Sequence, residues 1–169
     1  APLERHIVQE GISLLARDRA FSCTYSGNEL RQEPRQSYSI LRARVYRWFS
    51  EQAEAKGAML LAKVRVDDVI RTDGRVAGVI AGGDELLSDV VVACDGILSL
   101  VSEKAGLRSP GKPHDYAVGV KEVITLDSTV IEDRFNLGEG EGAARLYAGD
   151  ITQGKFGGGF LYTNRDSIS

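Results

Sequence analysis

E-L-L-S-D-V-V-V-A-C-D-G-I-L-S-L-V-S-E-K-A-G-L-R, running from Glu85 to Arg108, changes character twice along its length. Leu86, Leu87 and Val90 to Cys94 form a nearly unbroken apolar run, the pattern of a strand buried on both faces of a sheet. Asp95-Gly96 stops that run. Leu98, Val101 and Ala105 then recur at helical spacing, and Gly106 is placed to end the helix. A buried strand, a carboxylate and glycine at its carboxyl end, then a helix amino terminus: open α/β sheets hold their ligands at such junctions. Glycine lets a ligand approach the backbone, and free helix N–H groups favour an anion. Taken alone, Asp-Gly after a strand is usually just an ordinary turn.

Composition narrows the field. A chain of 169 residues is long enough to bury a core, as one domain or two small ones. Hydrophobic residues make up 43% and charged residues 27%, which is ordinary for a soluble globular protein. The net charge of −3 argues against a nucleic-acid surface. No apolar run approaches the roughly 18 residues of a spanning helix, and no signal peptide is evident. Cys23 and Cys94 are the only cysteines, too few for an iron–sulfur cluster, and they suggest a reduced, cytosolic protein. His6 and His114 stand without neighbours at metal-ligand spacing, so no metal site is expected.

Working outward, residues 4–33 alternate loosely and predict two or three short strands. From Ser39 the period becomes helical: Leu41, Val45, Trp48, Phe49 and Ala53 mark a stripe, with Ser39 as N-cap and Gly57 as the stop. Trp48 and Phe49 read as core anchors, and Arg44 and Arg47 as solvated. Arg42 falls in the first turn, where the macrodipole disfavours a cation unless an anion sits nearby. Its alternative is an exposed arginine whose stem lies on apolar surface. Residues 59–94 predict a β-meander. Strands are expected over Met59–Val66, at Val69-Ile70 and over Arg75–Ile80, with turns at Asp73-Gly74 and Gly82-Gly83-Asp84. Ser109 to Pro113 marks a boundary. Beyond it, Tyr116–Ile124, 143–148 and 158–162 read as strands and 128–136 as a short helix. Gly138-Glu-Gly-Glu-Gly142-Ala143 fits the loose G-x-G-x-x-G/A pattern, but no buried strand enters it and Glu139 and Glu141 would repel a pyrophosphate. It is expected to be a turn.

The longer pattern, apolar strand then D-G-x-x-S then A-G-L-R, resembles the second FAD-contacting motif of the flavoprotein monooxygenase and quinone-reductase superfamily. That resemblance implies that Asp95 and Gly96 face the FAD pyrophosphate; Cys94 stands where many relatives carry alanine. It also implies that Arg42, 15 residues before Gly57, contacts the ribityl or pyrophosphate region. Val66 is the best match to a valine whose backbone meets the adenine. The runs S-Y-S-I-L-R-A-R-V-Y-R-W-F-S-E-Q-A-E-A-K-G-A, V-R-V-D-D-V-I and V-G-V-K-E look like FixC proteins, and so does G-E-G-A-A-R-L-Y-A-G-D-I-T-Q-G-K-F-G-G-G-F-L-Y-T-N. These belong with the electron-transfer flavoprotein:quinone oxidoreductases; geranylgeranyl reductases share the plan but match the last run less well.

The implied fold is α+β: part of an FAD-binding domain at 37–108, with substrate-domain strands at 1–36 and an antiparallel substrate-domain sheet at 114–169. The implied activity is an FAD-dependent oxidoreductase passing electrons from a FixAB-type electron-transfer flavoprotein to a quinone, with a small ferredoxin-like partner. In the cell it would be cytoplasmic or membrane-associated. The family's amino-terminal G-x-G-x-x-G strand–turn–helix does not occur in the sequence, and Gly149-Asp150 lacks the context of the family's later G-D motif. The chain also opens on Ala1-Pro2-Leu3 without methionine. An internal fragment is therefore expected, itself inactive. No acid, base or nucleophile stands out, which suits a reaction carried by a flavin and equally suits the rival reading, a self-contained β-rich binding module.

Overall fold

The structure, a computed structural model, describes residues 1–155 and 157–169. In chain order come strands β1 (Leu3–Leu15), β2 (Ala20–Tyr25) and β3 (Tyr38–Ile40), then helix α1 (Arg42–Ala55). Strands β4 (Val66–Thr72), β5 (Arg75–Ala81) and β6 (Asp84–Leu87) and helix α2 (Leu100–Lys104) follow. The chain ends with β7 (Ile124–Thr125), α3 (Ser128–Phe135), β8 (Glu141–Gly149), β9 (Gly159–Tyr162) and β10 (Ser167–Ile168). The fold is α+β, as expected. It divides into two compact units, Ala1–Ala58 with Val120–Ser169, and Met59–Gly119.

The first unit is built on β1. Its second half pairs antiparallel with β2 on one edge and parallel with β8 on the other, and β9 continues from β8. The sheet order is β2-β1-β8-β9, with β3 on the first half of β1, so strands from both ends of the sequence share one mixed sheet. A bulge between Ile7 and Gln9 re-phases β1 against β8. Val8, Ile7, Ala143 and Ile131 of α3 are buried and form the core. The helix α3 ends at Asn136, whose left-handed backbone (φ 53°) suits asparagine. The G-x-G-x-x-G-like run is the turn into β8, and carboxylates occupy its amides: Gly138 N–H donates to Glu141 at 2.9 Å and Gly140 N–H to Glu132 at 3.0 Å.

Four expectations are corrected here. Ser39 caps no helix; it sits buried in β3, where its hydroxyl accepts from the Arg5 amide (3.0 Å) and donates to the Thr163 carbonyl (2.6 Å). Leu41 occupies the N-cap position instead. The α1 stripe is present but nothing on the helix is fully buried: Val45 and Trp48, expected as core, are half-buried, and Phe49 is 65% exposed. Arg44 is not simply solvated: it pairs at 3.0 Å with Glu4, whose carboxylate is buried. The expected strand at Tyr116–Ile124 shrinks to β7, which pairs with β10; Val118 and Val120 stay exposed without a ladder.

The second unit is a three-stranded antiparallel sheet, β4-β5-β6, with α2 after it. Both hairpins are two-residue turns, Asp73-Gly74 (φ 50° and 77°) and Gly82-Gly83 (φ 61° and 93°). Two positive φ values match the twist of the flanking strands, which explains why aspartate and glycine stand there. Met59 to Arg65 does not form a strand; β4 starts at Val66. The larger correction concerns Leu86–Cys94. The strand ends at Leu87, and the Ser88 hydroxyl bonds both backbone groups of Val90 (2.6 and 3.2 Å), turning the chain out of the ladder. Val90 and Val92 are 72% and 77% exposed. A strand buried on both faces needs neighbours on its edges, and none among the described residues pairs with Val90–Cys94.

Candidate functional site

The turn at Asp95-Gly96 keeps its predicted place at the end of the apolar run. Gly96 has φ +73°, and a Cβ there would meet nothing within 4 Å, so the backbone faces open space. The helix that follows starts at Leu100, later than the sequence suggests, and has five residues. Its amides are not all free for an anion. Asp95 accepts from the Val101 N–H at 2.7 Å, so the carboxylate spends itself closing the turn onto α2. Ser99, with left-handed backbone, donates to the Gly96 carbonyl at 2.6 Å. Arg108 ties the turn from behind, donating to the Ile97 carbonyl and the Ser99 hydroxyl, both at 2.7 Å. At the other end, Gly106 N–H reaches Glu103 and Leu107 N–H reaches Ser102, both at 2.9 Å, so the glycine ends the helix as predicted.

Val66 opens β4 in the same unit, opposite Ala81. Arg42 belongs to the other unit, at the first position of α1. Its Nε donates to the Tyr46 hydroxyl at 3.0 Å and its guanidinium lies 5.0 Å from that ring's centre. Among the described residues no carboxylate pairs with it. The arginine therefore does lie along an aromatic surface, while its charge stays uncompensated.

Sequence reading missed a groove. Along β8, Arg145 turns toward α3, its guanidinium 4.9 Å from the centre of the Phe135 ring. Its neighbours Ala144 and Leu146 point the other way. On that opposite face Cys23, Ile12, Leu146 and Phe160 form one row across four strands, each facing the next in register. Phe21 and Leu14 extend the apolar surface along the strands, and Ile12, Leu14, Phe21, Leu146 and Phe160 are each more than half exposed. The surface is concave, with a cavity of about 610 Å³. Phe160 stacks on Tyr162 with ring centres 5.9 Å apart. Lys121 donates to the Tyr162 hydroxyl oxygen and lies 4.7 Å from the centre of its ring, and Glu10 and Tyr25 also line this more polar end of the groove. Period-2 alternation in β1 and β9 was the available signal; the pairing of β1 with β8 was not readable from it.

Also unforeseen is Arg5, 1% exposed at the junction of β1, α3 and β8. It donates to Glu132 at 2.8 Å, the Glu141 carbonyl at 2.9 Å, the Ser128 hydroxyl at 2.7 Å and the Asn164 and Arg165 carbonyls. The Gly140 N–H, and then Arg5, hold the Glu132 carboxyl below its ordinary range. Arg31, paired at 2.7 Å, does the same for Glu141 against the opposing effect of burial.

Residues 2–137 match the FAD binding domain family. The chain is 44% identical over all 169 residues to protein FixC of Escherichia coli K12, covering 40% of that protein. It is 46% identical to protein FixC of Salmonella typhi, again over its full length and 40% of the relative. Against the probable electron transfer flavoprotein-quinone oxidoreductase YdiS of Escherichia coli K12 the identity is 45%, over 39% of that protein. The chain thus spans about 40% of the length of these relatives. The likeness covers the runs on which the FixC resemblance was read, although Phe156 in the K-F-G-G-G run lies outside the described residues. With its Asp-Gly turn and meander inside the matched region, the chain belongs to the FAD binding domain family.

Proposed function

We propose that this chain is part of an FAD-dependent oxidoreductase of the FixC kind. In this reading the protein takes electrons from a FixAB-type electron-transfer flavoprotein and passes them to a quinone, with a small ferredoxin-like protein as a further partner. The observation that carries it is the full-length likeness to FixC proteins and to a relative named as an electron transfer flavoprotein-quinone oxidoreductase. Bound FAD would supply two-electron redox chemistry; the protein supplies position and electrostatics.

Two features support a dinucleotide. Gly96 offers open backbone at positive φ, and Arg42 offers a cation without a carboxylate partner among the described residues. Asp95 would shape the turn, and Val66 would lend its backbone to the adenine. Residues 37–108 would be the FAD-domain portion, with 1–36 and 114–169 belonging to the substrate domain. The apolar groove on the mixed sheet would take the quinone ring, since a flat, weakly hydrated acceptor suits aromatic walls with few polar groups. No helix among the described residues is long and apolar enough to cross a membrane. A lipid-borne quinone would therefore be met by a cytoplasmic protein associating with the membrane surface.

The test is stopped-flow spectroscopy on the full-length protein carrying FAD. Mixing with reduced electron-transfer flavoprotein should bleach the bound flavin, and a short-chain quinone should restore its absorbance. A flavin that is reduced but never reoxidised by quinone would refute the acceptor; one that ignores the electron-transfer flavoprotein would refute the donor.

A further inference from the structure

We infer that Tyr162 delivers a hydrogen bond and then a proton to the quinone in the groove, and that Lys121 positions its hydroxyl and replaces the proton. The inference rests on the reading of the groove as the acceptor site. Its starting point is the hydrogen-bond inventory at the Tyr162 edge of that surface, where Glu10 and Tyr25 also line the groove. Lys121 has three donors and no lone pair, so in its contact with Tyr162 the phenolic oxygen must accept. The hydroxyl proton of Tyr162 is then left to donate elsewhere. Tyr162 follows Phe160 by two residues on β9, so the two rings share a face, and both line the groove. Their planes lie 4° apart, which holds the tyrosine ring flat against its neighbour and its hydroxyl at the groove's rim.

A quinone presents two carbonyl oxygens, both acceptors, on an apolar ring. Seated against Phe160, such a ring can turn one oxygen to Tyr162. Its reduction needs two electrons and two protons: each carbonyl π bond is lost, each oxygen gains an O–H bond, and the ring becomes aromatic. The electrons come from the reduced flavin of the proposed activity. One proton comes from the Tyr162 hydroxyl, whose O–H bond breaks as the quinone oxygen's forms. The Lys121 ammonium reprotonates the tyrosine oxygen, and Lys121, being exposed, recovers its proton from water. The second oxygen takes its proton from water at the open side of the groove. A positioned proton donor of this kind contributes roughly 100-fold or more to a rate.

The experiment compares two acceptors on the FAD-loaded, full-length protein: a short-chain quinone, and ferricenium, which takes one electron and no proton. Tyr162→Phe keeps the ring and its stacking. It should lower kcat with quinone by about 100-fold while KM shifts by less than about threefold, with electron transfer to ferricenium retained. Lys121→Met should cost about tenfold with quinone, and Lys121→Arg should recover only the part due to positioning, since a guanidinium also only donates but does not give up its proton. Tyr162→Phe turning quinone over at the unmodified rate would overturn the inference while leaving the acceptor reading intact. Equal loss with both acceptors would also overturn it, by showing that Tyr162 supports the flavin or the fold. An unmodified protein that reduces ferricenium but not quinone would sink the acceptor reading, and this inference with it.

Discussion

Arg5 shows how much a single side chain can matter without any local sign of it. Its partners on Glu132, Glu141, Ser128, Asn164 and Arg165 lie between 123 and 160 positions away. In the sequence it is one of many arginines in a polar-looking start. Only the pairing of β1 with β8 gathers these groups, and pairing is not written in either strand alone. A buried guanidinium with every donor satisfied leaves orphaned acceptors when removed. Arg5→Met should therefore cost roughly 3–5 kcal/mol, read from urea unfolding followed by circular dichroism. The carboxylates of two of these residues add a pH dependence. Glu132 and Glu141 are held below their ordinary range, Glu132 chiefly by the Gly140 amide and Glu141 chiefly by Arg31. A lowered folded pKa gives stability that is complete above the unfolded value, about 4.3, and lost as pH falls through the folded one. The urea midpoint should thus hold between about pH 6 and 5 and drop below pH 4, and Glu132→Gln should flatten that acid limb. An unchanged limb in Glu132→Gln would mean that the carboxylate does not stabilise the fold. By contrast, Arg42's place in the first turn of a helix was readable, because helical spacing is local.

Elements were legible wherever their chemistry is local. Asp73-Gly74 and Gly82-Gly83 were read as turns because two-residue hairpins with positive φ admit few residues, and α3 and Gly106 followed from spacing and capping. Leu86–Cys94 was misread because an apolar run states only that burial is wanted. Whether a ladder forms depends on strands elsewhere, and Ser88 breaks this one. The same holds for α1, whose stripe promises a partner surface that its unit supplies only in part. The Asp95-Gly96 turn separates two element-scale effects. Asp95 acts as a cap from outside the N-cap position, so Asp95→Ala should cost about 1 kcal/mol and Asp95→Asn less, because a short acceptor suffices. Hydrogen exchange at the Val101 amide is the direct reading: about fivefold to tenfold less protection in Asp95→Ala, with little change in Asp95→Asn. Gly96→Ala should cost a similar ~1 kcal/mol for another reason. No atom obstructs the new Cβ, so the cost is that of a left-handed backbone alone. Protection at Val101 that survives Asp95→Ala would show that α2 closes without the carboxylate.

At the scale of the whole molecule, burial is thin. The fully buried apolar side chains among the described residues are Ile7, Val8, Ala81, Ile131 and Ala143. Against them stand three exposed apolar surfaces, each described within its own unit: the groove face of the mixed sheet, the α1 stripe and the run Val90–Ala93. Exposed apolar surfaces of this kind mark contacts with something else. The FixC resemblance was legible because it rides on short runs of residues; the exposure of these surfaces was not, since periodicity cannot say what covers a face. The physical consequence concerns the cofactor. A dinucleotide's pyrophosphate is ordinarily held where a buried strand feeds a glycine turn and a helix with free amides. Among the described residues no G-x-G-x-x-G strand–turn–helix occurs, Val90–Ala93 is unpaired, and Asp95 occupies an amide of α2. The contacts proposed for FAD are Arg42, Val66 and the open backbone at Gly96. The isolated chain should therefore be colourless after dialysis against FAD, and it should brighten the dye ANS through its exposed apolar faces. A full-length protein should be yellow and leave ANS dark. The readouts are flavin absorbance per mole of protein and ANS emission at matched concentration. A stoichiometric yellow complex with the isolated chain would show that these few contacts suffice, and that the apolar run before Asp95 need not be paired for the cofactor to bind.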